Sequence, residues 1–119
     1  MTKSVRLWRA APVQDPWMGF GSYWTRSEDF AHRFRLWVEG TCGTPSRVYV
    51  AEVELTDPID FPFGVFLDPV KVTRNASAWA ARYRWISFYE KGPFEGRMIH
   101  QYVYLGQDPI SVSLSPPVP

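Results

Sequence analysis

The sequence predicts an α+β domain, in which one main helix at Thr25–Glu39 precedes a strand-dominated second half. Three observations predict it. The stretch 25–39 alone combines N-terminal capping chemistry with apolar residues at helical spacing. Segments with period-two alternation or β-branched residues recur at 5–10, 48–55, 97–105 and 110–114. Gly and Pro, 8 and 11 of 119 residues, fall between these segments and punctuate them as turns.

A chain of 119 residues is expected to form one domain, residues 1–119, with a core of its own. Its 13 basic and 12 acidic residues leave a formal charge of +1, which argues against duplex DNA as a partner. One cysteine, Cys42, cannot make an internal disulfide, and with two histidines an all-protein zinc site is not expected. The expected setting is therefore a reducing cytoplasm. No apolar run is long enough for a membrane span, and Arg9, Pro12 and Asp15 interrupt any export-like start. The aromatic content, 17%, is the unusual term, because aromatics both fill cores and make stacking platforms and interfaces.

Val5–Ala10 reads as the first strand, with Val5, Leu7 and Arg9 on one side and Arg6, Trp8 and Ala10 on the other. Pro12 and Pro16 bracket a loop that runs to Gly21, and Ser22–Trp24 is a short extended element. Thr25 and Glu28 form a T-x-x-E capping box for the helix. Phe30, Phe34, Trp37 and Val38 make its apolar stripe, Asp29–Arg33 and Arg35–Glu39 pair at four-residue spacing, and Gly40 is the expected C-cap. Val48–Leu55 follows as a β-branched strand, and Val70–Thr73 as a short one. Asn75–Glu90 carries both patterns: alanines at 76–81 favour a short helix, and Arg82–Tyr89 alternates as a strand. Arg97–Leu105 is a clear strand with Gln101 between Ile99 and Val103, and Ile110–Leu114 is a final short one.

The glycines form neither a P-loop nor a dinucleotide-binding run. The residues with chemistry lie elsewhere. Arg9, on a strand, presents a planar fork of donors suited to a pyrophosphate, or is a solvated strand-end arginine. Tyr23, Trp24 and Thr25 put flat rings and a hydroxyl at a helix entry, either to hold a planar ligand or to serve as core and cap. Glu90 and Glu95 flank a turn near Gln101, where a carboxylate could stabilise developing positive charge on a ribose. His32 is expected to face solvent, and His100 to be a partly buried imidazole.

The order of these signals, an arginine in LWRA, then YWT, then SEDFAHRFRLW, then VYVAEVEL, resembles the first half of the compact ADP-ribosyltransferase-like fold. The likeness covers Val5–Leu55 and, more loosely, Arg97–Ile110. It implies a mostly antiparallel core split into two small sheets that grip NAD. By the same likeness Arg9 would hold the dinucleotide, Tyr23, with Trp24 and Thr25, would flank the nicotinamide, and a late carboxylate would engage its ribose. Gln101 stands where that carboxylate is expected, with Glu95 the nearest substitute upstream. Three functions follow as expectations: NAD binding, with or without cleavage of the nicotinamide–ribose bond; a noncatalytic module that engages a protein partner through exposed aromatics; and, least favoured by the charge balance, single-stranded nucleic-acid binding.

Overall fold

The computed structural model describes residues 2–56, 59–60, 81–92 and 96–115. They form β1 (Thr2–Pro12), β2 (Tyr23–Thr25), α1 (Glu28–Cys42), β3 (Ser46–Thr56), β4 (Ile59–Asp60), β5 (Trp85–Lys91), β6 (Met98–Tyr104) and β7 (Ser113–Leu114). The α+β class and the single main helix are as expected among the described residues. The expected strand at Val70–Thr73 lies outside them, as does all but Ala81 of the expected helix at 76–81.

The strands join in the order β4-β5-β6-β2-β1-β3-β7. Only β4 runs parallel to its neighbour; the other pairings are antiparallel. The expectation of two small sheets needs correcting, because hydrogen bonding links all seven strands into one. The link is narrow, however. β1 pairs with β3 along its whole length, from Thr2↔Thr56 to Pro12↔Ser46, whereas β1 and β2 share the single pair Trp8↔Thr25. β2 is three residues long and turns at once into α1, so it cannot follow β1 further.

Residues directly opposite one another in a sheet share a face. Phe88, Gln101, Thr25, Trp8 and Val50 are such a row, crossing from β5 to β3. α1 packs on the β1–β3 part of the sheet and touches β2. The opposite face carries the main core, where Leu7, Trp24, Ala51, Trp85, Tyr102 and Tyr104 cluster. Trp24 stands edge-on to Trp85 at 6.5 Å and donates from its indole Nε1 to Ser22 Oγ at 2.8 Å. Its apolar bulk is thus buried with its one donor satisfied.

The helix starts three residues later than expected, at Glu28. Ser27 is the N-cap, its hydroxyl accepting from Phe30 N at 3.1 Å, and no Thr25–Glu28 capping box forms. Thr25 is held in β2 by its cross-strand pairs with Trp8 and Gln101, so its Oγ1 accepts instead from Ser27 N. The helix also runs past Gly40. Gly43, at φ +69, is the C-cap, and its N–H donates to Glu39 O. His32, expected at the surface, is buried, with Nε2 3.2 Å from Ser115 Oγ. Ser115, 83 residues further along the chain, comes back against the helix, and no periodicity within the helix reveals that. The ambiguous stretch before Tyr89 resolves as strand from Trp85 onward, and Glu90, expected beside a turn, lies near the end of β5 opposite Ile99.

Candidate functional site

A cavity of about 360 Å³ lies between α1 and the sheet, at the place where β1 and β2 part. Its floor includes Trp8 and Ala10 from β1, Thr25 from β2 and Gln101 from β6, and its roof is Phe30, Ala31, Phe34 and Val38 from α1. Tyr23 also lines it, and Arg9 and Trp24 do so from strand positions whose side chains alternate onto the other face of the sheet. The volume falls within the range of small-molecule pockets, about 300–1,000 Å³.

Among the described residues, Arg9 is the one ionisable cation in this lining. Its Nε donates to the carbonyl of Trp17 at 2.9 Å and its Nη1 to the carbonyl of Tyr23 at 3.1 Å. No carboxylate among the described residues pairs with it. Burial pushes its pKa down to about 10, which leaves the guanidinium charged at neutral pH. A guanidinium has five N–H donors, and the two carbonyls use two of them. A desolvated cation with donors to spare attracts an anion, and its planar fork matches phosphate geometry.

Tyr23 is half-buried, meets Phe88 edge-on at 5.9 Å and has a buried hydroxyl. Thr25 and Gln101 are both buried and stand opposite one another in the β2–β6 register. Trp24 lines the cavity while its indole is built into the core on the other face. Five of the six residues singled out in the sequence thus meet at one cavity: Arg9, Tyr23, Trp24, Thr25 and Gln101. The sixth, Glu95, lies outside the described residues. The described lining holds no carboxylate and no imidazole; it brings a ligand the Arg9 charge, the Gln101 amide, the Thr25 and Tyr23 hydroxyls and aromatic walls.

Two contributors are not legible in the sequence. The stripe of Phe30, Phe34 and Val38 reads as ordinary core, yet it roofs the cavity, and Phe30 and Phe34 stack at 5.9 Å. Trp17 acts through its main-chain carbonyl, which no side-chain pattern announces.

Other candidates sit apart. Arg6 forms an exposed ion pair with Glu52 at 2.8 Å. His100 lies in a ring stack with Tyr89 at 4.5 Å and Tyr102 at 4.6 Å, on the face opposite Gln101. Cys42 is exposed at the end of α1. No helix among the described residues is long and apolar enough to cross a membrane, and no cluster of metal-ligating side chains occurs among them.

No family model matches the chain, and comparison with curated proteins and with solved structures finds no match either.

Proposed function

We propose that the chain binds NAD or a related nucleotide in the cavity beneath α1, in the manner of an ADP-ribosyltransferase-like protein. One observation carries this reading: Arg9 of β1, Tyr23 and Thr25 of β2, and Gln101 of β6 line a single cavity although they are far apart in sequence. Arg9 supplies charge for the phosphates. Tyr23 offers a flat ring to the nicotinamide, and Thr25 and Gln101 offer polar groups to its amide and ribose.

Cleavage of the nicotinamide–ribose bond is a separate demand. It needs negative charge beside the ribose as positive charge develops there. Gln101 is neutral and can hold a hydroxyl but stabilises such charge poorly. In this reading Glu95 is the carboxylate that cleavage would use, and without it the site binds but does not turn over.

Calorimetry with NAD, followed by an assay for released nicotinamide, tests both parts. The reading expects binding at or below millimolar NAD, weakened by Arg9→Gln, with any nicotinamide release lost in Glu95→Gln. Absence of heat at millimolar NAD would remove it.

A second reading rests on a different observation. Leu36 and Trp37 on α1 are 57% and 38% exposed, and Trp17 is 54% exposed. Large apolar side chains at the surface suit a protein partner, and a binding module would use them without needing the cavity. Substituting Leu36 and Trp37 with Ser while leaving nucleotide binding unchanged would separate the two functions.

A further inference from the structure

Arg9 carries the charge of the cavity, and its long side chain needs something to hold it there. Its two hydrogen bonds end on the carbonyls of Trp17 and Tyr23, the two ends of one short connection. The guanidinium therefore spans the mouth of the loop between them. That loop is tied internally: Trp17 Nε1 donates to Phe20 O at 2.7 Å, and Ser22 N donates to Gly19 O at 3.1 Å. It is also tied to the body of the protein, through Ile110 N to Met18 O at 3.0 Å and Gly21 N to Tyr104 O at 2.7 Å.

Trp17 is more than half exposed, so burial of its indole does not explain its place. Its ring lies against Gly19 so closely that a Cβ there would sit 2.7 Å from its Cζ2. The indole can close the loop onto Phe20 only because residue 19 has no side chain.

We infer that Trp17 and Gly19 are positioning residues for Arg9. The indole's bond to Phe20 fixes the loop, the fixed loop aims the Trp17 carbonyl, and that carbonyl, with the Tyr23 carbonyl, holds the guanidinium where β1 and β2 part, beside the cavity. Preorganisation of this kind reduces the ordering cost of binding. The bracket stands on hydrogen bonds alone; its effect on ligand affinity rests on the nucleotide reading above.

The test compares the wild type with Gly19→Ala, Trp17→Phe and Arg9→Gln. Without ligand, nitrogen-15 NMR measures solvent exchange of the Arg9 Nε–H. With ligand, calorimetry measures affinity for ADP-ribose, which is anionic, and for nicotinamide, which is neutral. Both Gly19→Ala and Trp17→Phe are expected to speed the exchange at least tenfold and to weaken ADP-ribose about tenfold. Nicotinamide affinity should be unchanged, and in the Arg9→Gln background Gly19→Ala should add nothing. Folded variants with wild-type exchange and wild-type ADP-ribose affinity would overturn the inference, as would equal losses for both ligands. If Gly19→Ala does not fold, Trp17→Phe, which keeps the ring and loses only the indole N–H, decides the matter. A wild type that binds neither ligand removes the nucleotide reading, and the exchange rates then decide the bracket alone.

Discussion

Trp8 and Thr25 form the one residue pair that registers β1 against β2. On its far side Thr25 pairs with Gln101 of β6. The seven strands are thereby one sheet with a narrow waist, and the cavity opens beside that waist under α1. The site exists because two strands that meet at one pair then diverge, and the helix that follows β2 roofs the gap.

Gln101→Glu places a carboxylate in this cavity with Arg9 in the same lining. In the proposed function it puts on the cavity floor itself the charge otherwise left to Glu95, so nicotinamide release should rise about tenfold or more. A variant that binds NAD as the wild type does, with no gain in release, would show that the missing carboxylate is not what limits turnover.

Two glycines at the end of α1 should respond in opposite directions. Gly40 lies inside the helix with nothing within 4 Å of an added Cβ, so Gly40→Ala should stabilise the fold by about 0.5–1 kcal/mol. Gly43 caps the helix at φ +69, where a side chain is strained, so Gly43→Ala should destabilise by about 1 kcal/mol. Urea unfolding of the pair measures both signs.

Glu39 joins the end of α1 to the start of β3. Its Oε1 accepts from Ser46 N at 3.0 Å and from Arg35 Nη1 at 3.0 Å. The Ser46 amide, then Arg35, hold its carboxyl below the ordinary value against the opposing effect of desolvation. A folded-state pKa below the unfolded one stabilises the protein above the ordinary carboxylate range, and that contribution is lost as pH falls through the lowered value. Glu39→Gln should therefore flatten the acid side of the stability profile, measured as the unfolding midpoint from pH 6 down to pH 2.

Arg9 has the opposite sign. Burial lowers its pKa to about 10, so the folded state disfavours the charged form. Its cost to stability is present below about pH 10 and is relieved as pH rises above it. Anion binding runs the other way. Affinity for ADP-ribose should be level between pH 6 and 9, where Arg9 stays ionised, and should fall above about pH 10. Titration calorimetry across that range reads it directly.

Much of this was legible in the sequence for local reasons. The helix stripe, the i,i+4 pairs Asp29–Arg33 and Arg35–Glu39, and the strand alternation at 98–104 all follow from short-range pattern. The capping residue was not. Thr25 and Ser27 are equally good caps by type, and only strand pairing of Thr25 with partners 17 and 76 residues away decides between them. Burial of His32 escaped for the same reason, because it depends on Ser115 returning from the far end of the chain. Arg9, Tyr23, Thr25 and Gln101 could be named from residue type and order. That they share one cavity could be seen only once the order β6-β2-β1 was known.

The central claim is that these four residues serve one nucleotide together. Titrating NAD into nitrogen-15-labelled protein and following the Arg9 Nε–H, the Gln101 side-chain amide and the Tyr23 and Thr25 backbone signals tests it most directly. All four should shift along a single binding curve, and in Arg9→Gln, which has no guanidinium, the Gln101, Tyr23 and Thr25 signals should shift only at much higher NAD. Shifts confined to the exposed face of α1 around Leu36 and Trp37, or no shifts at millimolar NAD, would contradict it.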